Sequence, residues 1–292
     1  NLWHISTMRI SVKHAFERRL GLFPAGFDKD GILYCNTRWG DYPCRLPAGK
    51  WDPLQDPCPG WMLLSYKKKT AASSAITGCP PAKAVNENIR DYWAAAGSKG
   101  EWLLVDLEGQ PDICALQINF NEHQARAYTR KSKHLYHQYF IEGSYDKKTW
   151  QMVIDKKNNK NDSPHDYIEF NSPVCYRYLR ITALHIPAED VFALSGLRIF
   201  GKGKGAPPQA IQTYKSRRLS PTAVSLQWQP VSNADGYNIL WGIAPDKLYL
   251  SWLVYEQNSL DLTALNKNQP CFIRIDSFNA NGFTPGKIHK LR

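Results

Sequence analysis

Two carboxylates in the stretch YFIEGSYDKKTW, residues 139–150, are the first candidates for acid/base chemistry. Glu142 and Asp146 lie between two aromatic residues, beside a Gly-Ser pair and a Lys pair. Hydrolysis of a glycosidic bond needs two such groups held about 5 to 9.5 Å apart across a cleft. The same letters also predict a hairpin, with HQYFIEGS and TWQMVID as strands and YDKK as the turn. A hairpin tip has no cleft, so we interpret Asp146 as a turn residue, Glu142 as facing solvent or a neighbouring strand, and Trp150 as part of the core.

Other catalytic signatures are missing from the sequence. It contains no G-x-S-x-G, no H-E-x-x-H and no Gly-rich phosphate loop. No nucleophile and base are therefore predicted to act together, and we expect that this chain by itself is not catalytic.

Strands are the elements that must position any site. Apolar residues alternate with polar ones in six short runs, and no stretch keeps a helical period of 3.6. The sequence therefore predicts an all-β protein built from sandwiches. The six runs are LLVDL at 103–107, LQINF at 116–120, LRITA at 179–183, VSLQW at 224–228, YNILW at 237–241 and CFIRI at 271–275.

Two stretches of small, polar or Gly/Pro residues predict linkers, KKKTAASSAITG at 67–78 and GKGKGAPPQ at 201–209. They divide the chain into segments at about 1–66, 76–201 and 206–292. The first has a predicted hairpin turn at Asp30-Gly31 but too little regular structure to fold alone. We interpret it as the edge of a larger unit, and the absence of an initiator Met at Asn1 favours a mature or excised piece of a longer protein. No apolar run is long enough for a membrane span.

Seven cysteines, an odd number without a C-x-x-C pair, leave the redox compartment open. This spacing does not favour structural zinc. Cys44 and Cys58 flank a Pro-rich run and are either bridged or two buried thiols, while Cys271 is expected to fill space in a core.

The net charge of +11 raises the question of an anionic partner. Between positions 121 and 160 there are nine Lys or Arg against four Asp or Glu. A solvated basic surface and an acidic-glycan site both fit this excess. The basic residues are scattered without a helical stripe, which does not favour a nucleic-acid partner.

The middle segment resembles a discoidin-like module, the factor 5/8 type C fold that family 32 carbohydrate-binding modules share. The matching stretches are KAVNENIRDYWAAAGSKGEWLLVDLE at 83–108, FIEGSYDKKTW, and the closing YRYLRITA and ALSGLRIFG. The resemblance implies a galactose-binding-like jelly-roll sandwich that binds polysaccharide or oligosaccharide through loops at one end. Trp93 is expected to close the core rather than stack on a sugar.

The last segment resembles a fibronectin type III domain. TAVSLQWQPVSNADGYNILWG carries its early strands with Trp228 and Tyr237, and LTALNKNQPCFIRIDSFNANGFTP carries its late strands with the Asn279–Gly282 turn. Cys271 stands where this family has the tyrosine-corner hydroxyl, so that hydrogen bond must be missing or replaced.

The first segment resembles the closing blade of the five-bladed propeller of family 43 glycoside hydrolases, on FERRLGLFPAGFDKDGILYCNTRWGDYPCRLPAGK and GWMLLSY. The resemblance implies an inverting parent enzyme whose Asp, Asp and Glu lie on earlier blades, which makes this piece a partial propeller edge and the missing propeller its partner. His14 is a weak match to a histidine near a central metal in that family, but a lone His beside a strand is more often a structural residue.

The loop NEHQARAYTRKSKHLYHQ at 121–138 is the best sugar-binding candidate, because it is longer than a simple connection requires. Arrays of aromatic, Arg and His residues bind sugars in family 32 modules. The alternative is that the loop docks the module onto the propeller. The candidate ligands are Arg126, Tyr128, Arg130, His134 and Tyr136.

Many discoidin-like modules hold calcium through a D-G-N loop and a late Glu. Here the loop reads Asn86-Glu87-Asn88, and the late position is Gly196. The lower formal charge disfavours a tight site, and Asn86 and Asn88 remain weak metal candidates; no other cofactor is predicted.

Together these readings predict a non-catalytic carbohydrate-binding and scaffold region of a secreted glycoside hydrolase, outside the cytoplasm. The alternative is an adhesion module that binds anionic glycans or membrane headgroups through the basic loop.

Overall fold

The computed structural model describes residues 2–9, 18–45, 58–88, 90–124, 134–263 and 265–291. The protein is 46% strand and 3% helix, which confirms the predicted all-β fold. Within these ranges no helix has the length and apolarity needed to cross a bilayer. The chain divides into two compact units, one of residues 63–204 and one that joins 1–62 to 205–292.

The N-terminal segment forms a three-stranded antiparallel sheet in the order β1-β2-β3. The Asp28 carboxylate accepts hydrogen bonds from the backbone N–H groups of Asp30 and Ile32, both at 2.9 Å. Gly31 has a φ of 73°, which glycine adopts without strain. The predicted hairpin turn is therefore confirmed. The strands are β1 (Leu2–Arg9), β2 (Arg18–Phe27) and β3 (Leu33–Cys35).

The central sandwich consists of two five-stranded sheets. One has the order β10-β9-β12-β7-β5; the other has the order β11-β8-β13-β4, with β6 also paired to β13. Its elements are β4 (Met62–Leu63), β5 (Lys69–Ala72), a 3-10 helix (Pro81–Val85), β6 (Trp93–Ala94), β7 (Trp102–Asp106), β8 (Asp112–Phe120), β9 (Gln138–Ser144), β10 (Gln151–Asp155), β11 (His165–Cys175), β12 (Tyr178–His185), a second 3-10 helix (Pro187–Glu189) and β13 (Ala193–Lys202).

The alternating residues of the predicted strands fill this core. Ile181 lies opposite Ile141 on one side and Leu103 on the other, and all three are at most 1% exposed. Trp93 is fully buried, packs edge-on against Phe192 at 5.0 Å, and so closes the core as expected.

Two sequence expectations are wrong for this unit. The stretch 67–78 is not simply a linker, because residues 69–72 form β5 and pair with β7. Trp150 does not lie in the core: it is half-buried, and its ring lies 4.0 Å from the guanidinium carbon of Arg180. The sequence of β5 is small and polar and therefore gave no strand signal. Its partner β7, 31 to 37 positions further on, supplies most of the apolar surface.

The C-terminal sandwich pairs a three-stranded sheet, β14-β15-β18, with a five-stranded sheet in the order β17-β16-β19-β20, where β21 also pairs with β19. Trp228 and Tyr237 meet edge-on at 5.2 Å in its core, and Cys271 is 8% exposed among the same residues, which confirms its expected core position. The strands are β14 (Tyr214–Ser220), β15 (Ala223–Trp228), β16 (Gly236–Gly242), β17 (Leu250–Tyr255), β18 (Ser259–Leu262), β19 (Phe272–Asn279), β20 (Gly282–Thr284) and β21 (His289–Lys290).

The N-terminal segment packs against this C-terminal sandwich. Trp39 is 3% exposed and meets Phe278 and Phe283 edge-on at 5.6 and 5.0 Å. Tyr42 and Tyr255 share a hydrogen bond between their hydroxyls at 2.5 Å. Buried aromatic contacts of this kind account for the single compact unit that the two distant segments form.

All seven cysteines are free thiols. Cys44 is exposed and Cys58 is half-buried, so neither of the two alternatives for this pair, a disulfide or two buried thiols, is correct.

Candidate functional site

Three loops meet at one end of the central sandwich, where β8 and β12 end and β9 and β13 begin. The backbone N–H of Asn121 donates to the carbonyl of Ala193 at 3.0 Å, and that of Phe192 donates to the carbonyl of Gly97 at 2.8 Å. These bonds bring the loops at 95–101, 121–137 and 186–192 together. We call this the loop end.

Rings from the 121–137 loop and from the last residue of β12 form a cluster at the loop end. The ring centroid of Tyr136 lies 5.6 Å from that of His134 and 4.9 Å from that of His185. His134 is exposed, whereas Tyr136 and His185 are half-buried. An aromatic ring thus has an imidazole on each of two neighbouring residues close to it, and sugars are bound by rings that stack and by nitrogens that hydrogen-bond to their hydroxyls.

His137, the residue after Tyr136, is buried next to this cluster. Its ring stacks on Phe120 at a centroid distance of 3.9 Å and an angle of 17°, and the side-chain amide of Asn159 donates to its carbonyl at 3.0 Å. Burial, reinforced by the nearby His185, lowers the pKa of His137 to about 4. Burial and the proximity of His134 also lower the pKa of His185. Both imidazoles are therefore neutral at pH 7 and do not add to the charge of the loop end.

Two buried imidazole nitrogens of this cluster, Nδ1 of His137 and Nε2 of His185, have no hydrogen-bond partner in the described part of the chain. Nitrogens of this kind are costly to bury without a partner. They are polar groups that a hydroxyl-bearing ligand or ordered water would satisfy.

The start of the loop is fixed on both sides. The hydroxyl of Tyr92 and Nδ1 of His123 lie 3.0 Å apart, and the backbone N–H of Gln124 donates to the carboxylate of Asp190 at 3.3 Å. Burial raises the pKa of Tyr92, so its hydroxyl stays protonated. The start of the 121–137 loop is therefore anchored to Tyr92 and to Asp190.

Among the predicted sugar ligands, His134 and Tyr136 lie together at the loop end. Arg126, Tyr128 and Arg130 lie outside the described residues, as does His14. Sequence reasoning missed His137 and His185 because each adjoins a strand run and has no motif around it. The only signal was the repeated spacing of histidines in HLYHQ, which does not reveal that His185, at the end of β12, joins them.

The side chains of Asn86 and Asn88, the two weak metal candidates, are held by hydrogen bonds to other protein groups. Both side-chain amides donate to the Asp91 carboxylate, at 2.9 and 3.1 Å, and their amide oxygens accept backbone N–H groups. Lys83 lies 3.0 Å from the same carboxylate. The oxygens expected to bind a cation thus already have donors, so this donor set does not fit calcium.

Glu87, between the two asparagines, pairs with Arg198. Its oxygens lie 3.1 and 3.0 Å from Nε and Nη2 of Arg198, whose side chain is 3% exposed. A Cβ atom on Gly196 would lie 2.7 Å from the Asn119 side-chain amide, so a longer residue there would displace it. No group of three or more His, Cys, Asp or Glu residues able to hold a metal occurs in the described ranges.

The two carboxylates of residues 139–150 lie on the central sandwich in structural roles. Glu142 pairs with Arg180 of the neighbouring strand at 2.8 Å. Asp146 accepts the backbone N–H groups of Lys148 and Thr149 at 2.8 and 2.9 Å, and these bonds lower its pKa. The predicted turn and strand roles are confirmed, and the two groups do not form a catalytic pair.

Comparison with known proteins identifies the central sandwich. The family model of the F5/8 type C domain matches residues 68–195. No curated protein matches the chain.

Solved structures match about half of the chain. It is similar to chitosan-binding module 1 from a chitosanase/glucanase of Paenibacillus sp. IK-5, with 20% identity, a TM-score of 0.40, and coverage of 48% of this chain and 99% of that chain. It is also similar to the family 32 carbohydrate-binding module of Clostridium perfringens NanJ in complex with galactose, with 16% identity, a TM-score of 0.39, and coverage of 48% and 98%.

Proposed function

We propose that this chain, whose residues 68–195 form an F5/8 type C domain, is a non-catalytic carbohydrate-binding and scaffold region of a secreted, polysaccharide-degrading glycoside hydrolase. The ring cluster at the loop end carries the binding part of the proposal. Tyr136 offers a ring face to the apolar side of a pyranose, and His134 and His185 offer nitrogens to its hydroxyls. Arg126, Tyr128 and Arg130 remain candidate ligands in the same loop.

Neutral sugars suit this cluster better than acidic ones. The lowered pKa values of His137 and His185 keep both rings uncharged at neutral pH. Lys156 and Lys157, which belong to the basic stretch at 121–160, are paired with Asp166 and Asp155 at 3.3 and 3.7 Å. Their charge is thus partly neutralised on the protein itself.

The parent enzyme is proposed from the order of the three segments. Residues 206–292 are proposed to be a fibronectin type III domain, supported by the Trp228–Tyr237 core and the tight Asn279–Gly282 hairpin. Residues 1–66 are proposed to be the closing edge of a family 43 propeller and to bind its missing blades. The complete parent enzyme would hydrolyse glycosidic bonds with inversion. The full gene tests this: it should encode four further blades with separated Asp, Asp and Glu, and a different domain there would refute it.

An extracytoplasmic location follows from the proposed substrate, because polysaccharides are too large to reach the cytoplasm intact. Fractionation of the source cells with an antibody against this chain tests it. Recovery of the protein only with cytoplasmic markers would contradict the proposal.

Tyr136→Ala tests the site. Electrophoresis of the whole chain through gels that contain galactan, xylan, arabinan or glycol chitosan should show retardation by at least one polymer. Loss of the ring should weaken that binding about tenfold, or about 1.4 kcal/mol. Tyr136→Phe keeps the ring and should stay close to wild type. Unchanged retardation of Tyr136→Ala, or no retardation of the wild type by any of the four, would refute the site.

A further inference from the structure

One side of the C-terminal sandwich carries five exposed cations. β14 forms the edge of one sheet, and β21 lies beside β19 at the edge of the other. Neither residues 207–220 nor residues 282–291 contain an Asp or Glu. We call this edge the basic seam; its cations are Lys215, Arg217, Arg218, Lys287 and Lys290, all exposed.

Contacts along the seam hold the two edges side by side. The Tyr214 and His289 rings meet edge-on at 5.5 Å, and Nε2 of His289 lies 3.1 Å from the carbonyl oxygen of Gln212. The backbone N–H of Lys287 donates to the carbonyl of Ile211 at 3.4 Å, which joins the segment before β21 to the segment before β14. The carbonyl of Cys271 accepts the backbone N–H of Leu291 at 2.8 Å. The seam is therefore a continuous stripe rather than two separate patches.

The charges of the seam are not neutralised by the described part of the protein. None of its five cations forms an ion pair there, and the strands β14, β15 and β18 contain a single acidic residue, Asp261, which β15 separates from β14. In the central sandwich, by contrast, many cations are paired. The pairs are Lys68 and Lys69 with Glu108, Lys83 with Asp91, Lys156 with Asp166, Lys157 with Asp155, Arg177 with Asp106, Arg180 with Glu142, Arg198 with Glu87 and Lys204 with Asp112.

We propose that the basic seam binds an acidic polysaccharide. Unpaired cations along two adjacent strands form a narrow positive stripe, and a linear polymer with regularly spaced carboxylates or sulfates matches that shape and charge. Charged side chains also protect an edge strand such as β14 from pairing with another chain. Protection of β14 alone does not account for the cations of the β21 side.

Two other polyanions fit the seam less well. Binding of single-stranded nucleic acid uses exposed aromatic rings on which bases stack, whereas the one ring on β14, Tyr214, is half-buried against His289. Insertion into a membrane surface uses a contiguous apolar face. Leu219 and Ile288, 42% and 40% exposed, are isolated aliphatic side chains of the kind common on soluble surfaces.

A charge-matched pair of variants tests the seam. The whole chain is titrated with polygalacturonate and with heparin at 50 and 300 mM NaCl. The wild type should bind both, about tenfold or more weakly at the higher salt. Replacement of Lys215, Arg217 and Arg218 by Gln should weaken binding at 50 mM NaCl about tenfold. Replacement of Lys156, Lys157 and Lys204 by Gln removes the same number of charges from paired positions and should leave binding near wild type.

A second variant, with substitutions outside β14, distinguishes loss of binding from misfolding of that edge strand. Lys287→Gln with Lys290→Gln leaves β14 intact and should weaken binding about threefold, with an unchanged thermal midpoint. The proposal is overturned if neither polymer binds, if the control triple weakens binding as much as the seam triple, or if only phosphatidylserine vesicles respond to the seam variants. Tyr136→Ala should not affect polygalacturonate binding, so the seam and the loop end can fail independently.

Discussion

Two buried cations of this protein form ion pairs of the same kind, but their partners lie at very different separations along the chain. Arg198 in the central sandwich pairs with Glu87 and donates to Gln117 at 2.8 Å, all within one domain. Lys247 in the C-terminal sandwich lies 2.7 Å from Asp28 and 2.6 Å from Asp30, which are more than 200 positions earlier in the chain. Their side chains are 3% and 8% exposed.

The difference lies in what each cation orders. Arg198 holds Glu87, which lies between the two weak metal candidates Asn86 and Asn88, so a protein side chain supplies the positive charge at this loop. Lys247, assisted by the hydroxyl of Tyr249 at 3.0 Å from Asp28, fixes the hairpin of another segment. Loss of the first should destabilise a domain, whereas loss of the second should release a segment from a domain that stays folded.

The largest expected effect is that of Arg198→Met. The variant leaves the Glu87 carboxylate, only 19% exposed, without its cation, and unpaired buried charges cost about 3 to 5 kcal/mol. Urea unfolding of the whole chain measures the loss for the central sandwich. The control is Lys204→Met, whose ion pair with Asp112 joins side chains that are 59% and 47% exposed and should therefore contribute little to the free energy of unfolding. Equal losses in the two variants would show that Arg198 has no special role.

Acidification should distinguish the two units next. His137 has a pKa of about 4 against an ordinary value of 6.5, so the unfolded chain binds more protons between these values. The stability that neutral His137 contributes is complete above pH 6.5 and is lost as the pH falls towards 4, by roughly 3 kcal/mol in all. Hydrogen exchange of β9, corrected for intrinsic rates, measures it, and His137→Phe should flatten the response.

The Lys247 pair should resist the same change. Hydrogen bonds from Lys247 hold the pKa of Asp28 far below its ordinary value of 3.8. Its contribution is therefore fully present above about pH 4 and is lost only as the pH falls further, through the lowered pKa. Parallel loss of exchange protection in β9 and β16 between pH 6.5 and 4.5 would contradict this contrast.

Lys247→Met should have the smallest effect on global stability and a clear local one. Asp28 loses its cation, so residues 23–45 should separate more often from the C-terminal sandwich. Chymotrypsin should then cleave near Trp39 and Tyr42, which are 3% and 4% exposed, about tenfold faster. Lys267→Met, at an exposed position, should leave the rate unchanged. Cleavage at wild-type rate in Lys247→Met would refute the anchoring role.

Much of the fold was predictable from the sequence, because its signals are local. Leu103, Val105 and Leu107 alternate with polar or outward residues, and Asp146 follows Ser144 at the spacing of a turn. The candidate site was predictable only in part. His134 and Tyr136 were named because they lie in a long loop, whereas His185 joins them from the end of β12, where it lies opposite Gln138 of β9. No spacing along the chain reveals that pairing.

The errors have the same origin. Trp150 was placed in the core because large aromatic residues are usually buried there, yet it lies just before β10 and is half-buried against Arg180. The small residues at 69–72 form a strand because β7 offers them a partner. In both cases a neighbour distant in sequence decided the outcome.

The sequence by itself determined the strands that alternate clearly and the turns at Asp30-Gly31 and Asp146, because these follow from alternation and from backbone preferences of a few adjacent residues. Only the tertiary structure decided which charge meets which. Arg198 lies in β13 and Lys247 in the connection between β16 and β17, and the roles of both depend on carboxylates that the fold brings near. Electrostatic energy depends on distance in space and on burial, and neither quantity can be read from the amino-acid sequence.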